Sequence, residues 1–366
     1  MMKLKQEIVY RYCSDNDLDE LSRFVGKFLW TKGYELASHW EALFRWKHFA
    51  NPFGKSEMAV AVDHGGKIVT FIAGMHWKLV AGEHLIKCLR WTDLISDPDF
   101  RREPASAFAP IALAAKLREK ARLEDVSLFF GSGANTYSLA FTSNLGWKDV
   151  ERLWPLVSVN YHQALASVIR SKLSHKRQNG YDTKNYFKRA PLPVTSLLSH
   201  DGIESLLQKD QKLEDSSPLT ICKTVEYLKW RYVDHPTITY YTLIREQGGE
   251  LTAAVIFRIS TDLGLRDIVI DEIFMSSPGE GVSLLNELRE TVTADYLLTR
   301  FSLGSWKRDV FLKSGFGTRS RIMRYYYSHS DVLLDRLLVD SFDKTIPVDS
   351  TLPENWALTM GDLEGF

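Results

Sequence analysis

The sequence predicts an α+β protein, a mixed and mainly antiparallel sheet flanked by helices on both faces, and it predicts that this unit occurs twice. Three observations carry that reading. Short β-branched and aromatic runs alternate with amphipathic helical stretches; a strand-rich meander occupies Met58 to Ile95; and a nine-residue window recurs at similar spacing in the two halves of the 366-residue chain. At ~150 residues per domain, the length suits about two domains.

Ile8-Val9-Tyr10-Arg11-Tyr12 reads as a strand, after which Ser14-Asp15-Asn16-Asp17 offers caps for a helix with the apolar stripe Leu18, Leu21, Phe24, Val25, Phe28, Leu29. Ser38-His39-Trp40-Glu41 fits a capping box opening a second helix that Asn51-Pro52 ends. Turns at Asp63-His64-Gly65-Gly66 and Ala81-Gly82-Glu83 divide the meander into hairpins. Ala107 to Leu123 lacks glycine and is dense in Ala, Leu, Lys and Arg, so it predicts a long helix. Val126 to Gly131 predicts a buried strand, Thr136 to Leu145 a helix, and Val150 to Tyr161 further strands. The stretch 171 to 218 is polar and punctuated, with a short helix expected around Ile203 to Lys212.

In the repeat, Phe44-Arg45-Trp46-Lys47-His48-Phe49-Ala50-Asn51-Pro52 matches Leu228-Lys229-Trp230-Arg231-Tyr232-Val233-Asp234-His235-Pro236. Leu145-Gly146-Trp147 ends the first half and Ser314-Gly315-Phe316 the second, and the second half repeats the strand pattern at Tyr240 to Ile244, Leu251 to Ile259 and Ile268 to Phe274. The organisation expected is a first domain over 1–162, a connection over 163–217, a second domain over 218–330, and a tail over 331–366 that docks through Trp356.

The 46 Lys+Arg residues balance 46 Asp+Glu, which removes the overall basic footprint of a nucleic-acid binder. Cys13, Cys88 and Cys222 are isolated, so no disulfide framework is signalled, and the start of the chain has no apolar signal core; both features point to the cytoplasm. No apolar run reaches the ~18 residues of a membrane span. His39, His48, His64, His76 and His84 show no metal-binding spacing on a helix, so no metal is predicted. Gly131-Ser132-Gly133-Ala134 lacks the lysine of a P-loop and reads as a tight turn, while Trp40 and Trp46 read as packing residues.

Asn135-Thr136-Tyr137-Ser138-Leu139-Ala140-Phe141-Thr142-Ser143-Asn144-Leu145-Gly146-Trp147 resembles the ending of GCN5-related N-acetyltransferase (GNAT) domains, N-x-x-A-x-x-x-Y-x-K-x-G-F, matching at Asn135, Ser138, Gly146 and Trp147. Asp93 to Arg102 resembles that family's fourth strand and the motif after it, and two such domains would cover the chain. The resemblance implies an acyl-CoA-dependent N-acyltransferase with acetyl-CoA or another acyl-CoA as co-substrate and no metal. The acceptor implied is a small-molecule amine, such as an amino sugar or an envelope-related metabolite, and a homodimer is compatible with it.

The residues implied for the cofactor are Leu94, Ile95, Ser96, Arg101, Arg102, Ala105, Ser106, Asn135 and Ser138; those for catalysis are Asp93, Asn135, Tyr137 and Thr142. Asp93 is the carboxylate placed to serve as base for the amine, and Thr142 stands where the family carries a tyrosine acid, a position that Phe311 holds in the second half. The phosphate loop departs from the family pattern R-x-x-G-x-G/A: Pro104 has no N–H where the first glycine belongs, and Ser106 replaces the second small residue. Arg101 and Arg102 then compensate by guanidinium contact, or form surface ion pairs with Asp97, Asp99 or Glu103. Because Asp271 and Glu272 are neighbours on a strand, only one of them is expected to face an interdomain cleft. Two alternatives follow: a catalytically inactive GNAT-fold binding module, and an aminoacyl-tRNA-dependent transferase, which would need a basic surface.

Overall fold

The computed structural model describes residues 8–29, 40–132, 141–153, 155–161, 186–214, 218–260, 266–318, 336–343 and 345–363. The first sheet begins with β1 (Val9–Tyr12), β2 (Glu57–Val62), β3 (Ile68–Ala81) and β4 (His84–Ser96), a meander with turns where the glycines predict them. It continues through β5 (Leu128–Gly131) and includes β6 (Lys148–Arg152). Helices α1 (Leu18–Leu29) and α2 (Trp40–Phe49) lie on one face and α3 (Ala109–Leu123) on the other. Helix α1 is entered through the Asp17 carboxylate, which accepts from the Ser14 N–H and hydroxyl and from Arg11. Ser38 lies outside the described residues.

The second sheet is built from β7 (Pro155–Val159), β8 (Leu192–Pro193), β10 (Tyr240–Gln247), β11 (Glu250–Ser260), β12 (Asp267–Met275) and β13 (Tyr296–Arg300), while the short β9 (Thr220–Ile221) pairs with β3. Pro193 sits on the edge strand, where a missing N–H costs no interior ladder bond. Helix Ile203–Lys212 forms at its expected position.

The two sheets exchange strands. Val150 to Tyr161, expected as strands of one unit, divides: β6 stays in the first sheet, whereas β7 pairs antiparallel with β13 in the second. In return β14 (Arg336–Ser341), near the chain's end, inserts between β5 and β6. Local pattern cannot reveal this, because a strand's alternation records which face is buried and not which sheet receives it.

The repeated residues have matching physical roles. The indole N–H of Trp46 donates to the Trp230 carbonyl at 2.8 Å and that of Trp230 to the Trp46 carbonyl at 3.0 Å, while the rings stack with centroids 4.8 Å apart. Asn51 Oδ1 accepts the N–H two residues on, from Phe53, and His235 Nδ1 accepts likewise from Thr237 and Ile238. Gly146 and Gly315 both adopt positive φ, 86° and 79°, at helix ends. The following N–H, of Trp147 or Phe316, reaches back five residues to Thr142 or Phe311, the Schellman pattern that a residue with a Cβ would strain.

The tail packs between the halves. Trp356 is fully buried, its N–H donating to the Ser350 carbonyl at 2.9 Å, and Leu358 and Thr359 lie against Ser302 and Phe301 beyond β13. We expect a double-mutant cycle on Trp46→Phe and Trp230→Phe, read by chemical denaturation, to give a coupling of about 1–3 kcal/mol, the scale for residues in direct contact. Additive effects would mean that the reciprocal pair does not join the halves.

Candidate active site

The site begins where β4 and β5 part. They pair in parallel only at Cys88 with Leu128, Leu89 with Phe129 and Arg90 with Phe130. Immediately beyond, β4 carries a bulge: Phe71 faces Ile95 and Ala73 faces Thr92, so Ile72 opposes both Asp93 and Leu94. Asp93 holds φ at +54°, a left-handed conformation that costs a non-glycine residue about 1–2 kcal/mol and that aspartate tolerates better than most.

Side chains from α2 hold it there. Lys47 Nζ donates to Asp93 at 2.8 Å, His48 Nε2 lies 2.9 Å from the other carboxylate oxygen, and His48 Nδ1 lies 2.9 Å from Ser56 Oγ. Burial alone would raise the Asp93 carboxyl; the Lys47 charge and the His48 hydrogen bond overcome it and hold the group well below the usual carboxylate range. Burial depresses His48, so the ring is neutral, with Nε2–H donating to Asp93 and Nδ1 accepting from the Ser56 hydroxyl. Burial likewise lowers Lys47 against the attraction of Asp93. Asp93 is thus an ionised carboxylate with both oxygens engaged.

On the opposite side of the divergence, Arg90 Nη2 donates to Ser132 Oγ at 3.2 Å and to the Leu363 carbonyl at 3.0 Å, so the tail reaches the site. Trp91 meets Trp147 edge to face at 5.0 Å. Leu94 is half-buried, Ile95 is buried, and Ser96 Oγ accepts from Thr70.

The loop after β4 folds into two short 3-10 turns, Phe100–Arg102 and Pro104–Ala107. The N–H groups of Arg101, Arg102, Glu103 and Ser106 donate to carbonyls within that loop, and Ser106 Oγ donates to the Arg101 carbonyl. Arg101 Nε donates to the Ser96 carbonyl, Arg102 lies 3.8 Å from Asp99 on the surface, and Ala105 is half-buried. Thr142 is buried, its carbonyl closing the helix end. Asn135, Tyr137 and Ser138 lie outside the described residues.

The second half repeats the plan with different contents. Its bulge falls on Asp271, between the pairs Ile256 with Glu272 and Phe257 with Ile270, and β12 pairs with β13 only at Asp267 to Val269. Both Asp271 and Glu272 are buried. Tyr232, the repeat partner of His48, donates to Glu272 at 2.9 Å; Lys223 Nζ binds Glu272 at 2.7 Å and Asp362 at 3.0 Å, and Thr359 Oγ1 lies 3.0 Å from the Glu272 carboxylate and 2.8 Å from that of Asp362. Burial raises Glu272 against the Lys223 charge. Here the tail itself lies beside the divergence. Lys47, His48, Ser56, Arg90 and Lys223 were missed from sequence as site residues, although a charged residue before a ring, at Lys47-His48 and again at Arg231-Tyr232, stood in the repeat.

No protein-family model matches the sequence, and no curated protein matches it. Solved structures do resemble it. A conserved protein of unknown function from Enterococcus faecalis V583, a probable N-acyltransferase, aligns with a TM-score of 0.58 and 12% identity over 92% of this chain and 72% of that one. A GCN5-related N-acetyltransferase from Anabaena variabilis ATCC 29413 aligns at 0.59 and 13% over 91% and 72%. The Saccharomyces cerevisiae N-myristoyltransferase with bound myristoyl-CoA aligns at 0.55 and 11% over 98% and 86%. At such identities the likeness shows the fold, which is that of the GCN5-related N-acetyltransferases.

Replacing Asp93 with Ala strands a buried lysine and should cost about 3–5 kcal/mol in chemical denaturation, while Lys47→Met/Asp93→Asn should recover most of the loss. His48 and Asp93 both bind fewer protons folded than unfolded, so the stability each contributes is lost as pH drops, below about 6.5 for His48 and below about 4 for Asp93. The stability difference between wild type and His48→Gln should therefore shrink as pH drops below about 6.5, while the loss that His235 contributes in that range, its ring also pushed down by burial, should persist in the variant.

Proposed function

We propose that this chain is an acyl-CoA-dependent N-acyltransferase whose first half holds the thioester at the β4–β5 divergence and whose acceptor is an amine. The observation that carries this is the Asp93 bulge, which removes one residue from the ladder where two parallel strands part, in a fold that the acyltransferases above share. A backbone N–H released by a bulge is a fixed donor for the negative charge that develops on a thioester oxygen. Amine nitrogen attacks the carbonyl carbon, the C–S bond breaks, and CoA leaves as a thiolate that takes up a proton. No nucleophile motif calls for a covalent enzyme intermediate.

A carboxylate held far below its ordinary range and already paired with Lys47 is a poor proton acceptor. Asp93 is therefore assigned to fixing the bulge, and the amine's proton to water. Asn135, Tyr137, Ser138 and Thr142 retain the roles that the resemblance implies, as do Leu94, Ile95, Ser96 and Ala105. With the Arg101, Arg102 and Ser106 amides bonded inside their own loop, the pyrophosphate contact falls to the exposed Arg101 and Arg102 guanidinium groups. The self-bonded loop also favours a second reading, a GNAT-fold binding module without turnover. Acetyl-CoA is the donor proposed, an amino sugar the first acceptor to try, and a cytoplasmic, tandem-domain protein the setting, with the boundaries given above amended so that β7 and β8 join the second unit and β14 the first; no metal enters the transfer step.

Thiol release from acetyl-CoA and longer acyl-CoAs, assayed against a panel of amines and amino sugars, tests this. Arg101→Ala/Arg102→Ala should raise the donor KM by about tenfold or more, the effect of losing charge-assisted bonds of about 1.5–3 kcal/mol. With an alkylamine acceptor the rate should climb with pH toward a lysine-like ~10.4 instead of levelling in the carboxylate range. No release with any donor and acceptor, alongside intact CoA binding, would select the binding module.

A further inference from the structure

We propose a zinc-type divalent metal site, separate from the acyl-transfer site, formed by Glu57 on β2, His76 on β3 and Glu124 just after α3. One ligand atom from each comes within 4.8 Å of the others. His76 Nε2 lies 3.2 Å from Glu57 Oε1 and 3.4 Å from Glu124 Oε2. A single ring nitrogen has at most one proton, so it cannot satisfy two carboxylates that both converge on it. A cation between the three atoms satisfies all of them at once.

The two separations from the ring nitrogen suit that ion. Bonds of about 2.0–2.1 Å meeting at the tetrahedral angle set neighbouring ligand atoms about 3.3 Å apart, between the two observed separations. One imidazole with two carboxylates is a ligand set for zinc or a similar first-row ion, whereas magnesium prefers oxygen and water. The side chains of Glu57, His76 and Glu124 are 18%, 21% and 31% exposed, which leaves an open side for a water as fourth ligand.

Asn51 Nδ2 donates to the His76 carbonyl at 2.8 Å, which fixes the backbone that carries the ring, and Gly54 lies alongside the imidazole. Lys120 Nζ binds the far oxygen of Glu124 at 2.7 Å, a resident cation that partly offsets the two carboxylates and competes with a metal. Because the three ligands come from two strands and a helix end, no spacing within one helix could have disclosed them. Bound metal would tie the C-terminal end of α3 to the β2–β3 hairpin. The proposal does not depend on the acyltransferase reading.

The test is equilibrium dialysis of the purified full-length chain against Zn2+ and, separately, Mg2+, with metal counted by mass spectrometry and thermal unfolding followed with and without Zn2+. One Zn2+ per chain and a raised Tm are expected, with no comparable Mg2+ uptake. Glu57→Gln and His76→Asn should each weaken zinc by more than the about 10- to 100-fold that loss of an outer hydrogen-bond partner causes. Lys120→Gln should tighten it, a direction that damage to the fold would not produce. Wild-type chain that takes up no stoichiometric Zn2+, or zinc that persists undiminished in His76→Asn, overturns the proposal.

Discussion

Two buried indole N–H groups, each donating to the backbone carbonyl beside the other ring, fix how the halves meet, and the site geometry depends on that constraint. Helix α2 presents Lys47 and His48 to β4 while Trp46, one residue earlier, makes the contact with Trp230. Across that contact, Tyr232 lies beside Glu272 in the other half. Exchange of β7 and β14 reinforces the arrangement, because neither sheet keeps its edge order without a strand supplied from a distant part of the chain. The ladder bonds of these strands and the burial of Trp356 couple the stability of each half to that of the other.

Each half puts an acidic residue on a bulge in the strand that parts from its parallel neighbour, yet the surroundings differ. In the first half Asp93 is bound by Lys47 and by a neutral histidine, with the loop Phe100 to Ala107 beyond it. In the second, Thr359 and Asp362 of the tail join Lys223 and Glu272 beside the divergence, and a helix capped by Ser277 follows β12 directly. Exposed Arg101 and Arg102 lie beyond the first divergence, whereas the tail, which in the first half touches Arg90 and Ser132, binds the Glu272 carboxylate itself in the second. The asymmetry supports assigning the acyl donor to the first half.

Much of the fold was legible because it is local. The turns at Asp63 and Gly82, the glycine-free α3 and the repeat from Trp46 to Pro52 each follow from residue type and spacing. Gly146 and Gly315 could be matched in sequence, and their positive φ supplies the reason. Strand exchange was illegible, since the apolar pattern from Pro155 to Val159 fits either sheet; its partner, which runs from Tyr296 to Arg300, lies some 140 residues further along the chain. The site was half legible. Asp93 stands out in sequence, but the lysine and histidine that bind it lie 46 and 45 residues away, and only the fold brings them together. Pro104 signalled in sequence that one N–H is missing from this loop; that the loop's other amides turn inward is a property of its 3-10 geometry, which residue type alone does not disclose.

The most direct measurement of the central claim is a crystal structure of the chain grown with acetyl-CoA. The thioester carbonyl should lie within hydrogen-bond distance of the backbone at Asp93 or Leu94, the pantetheine arm between β4 and β5, and the pyrophosphate at Arg101 and Arg102. Acetyl-CoA seated beside β12 and β13, or bound without approaching the Asp93 bulge, would contradict it.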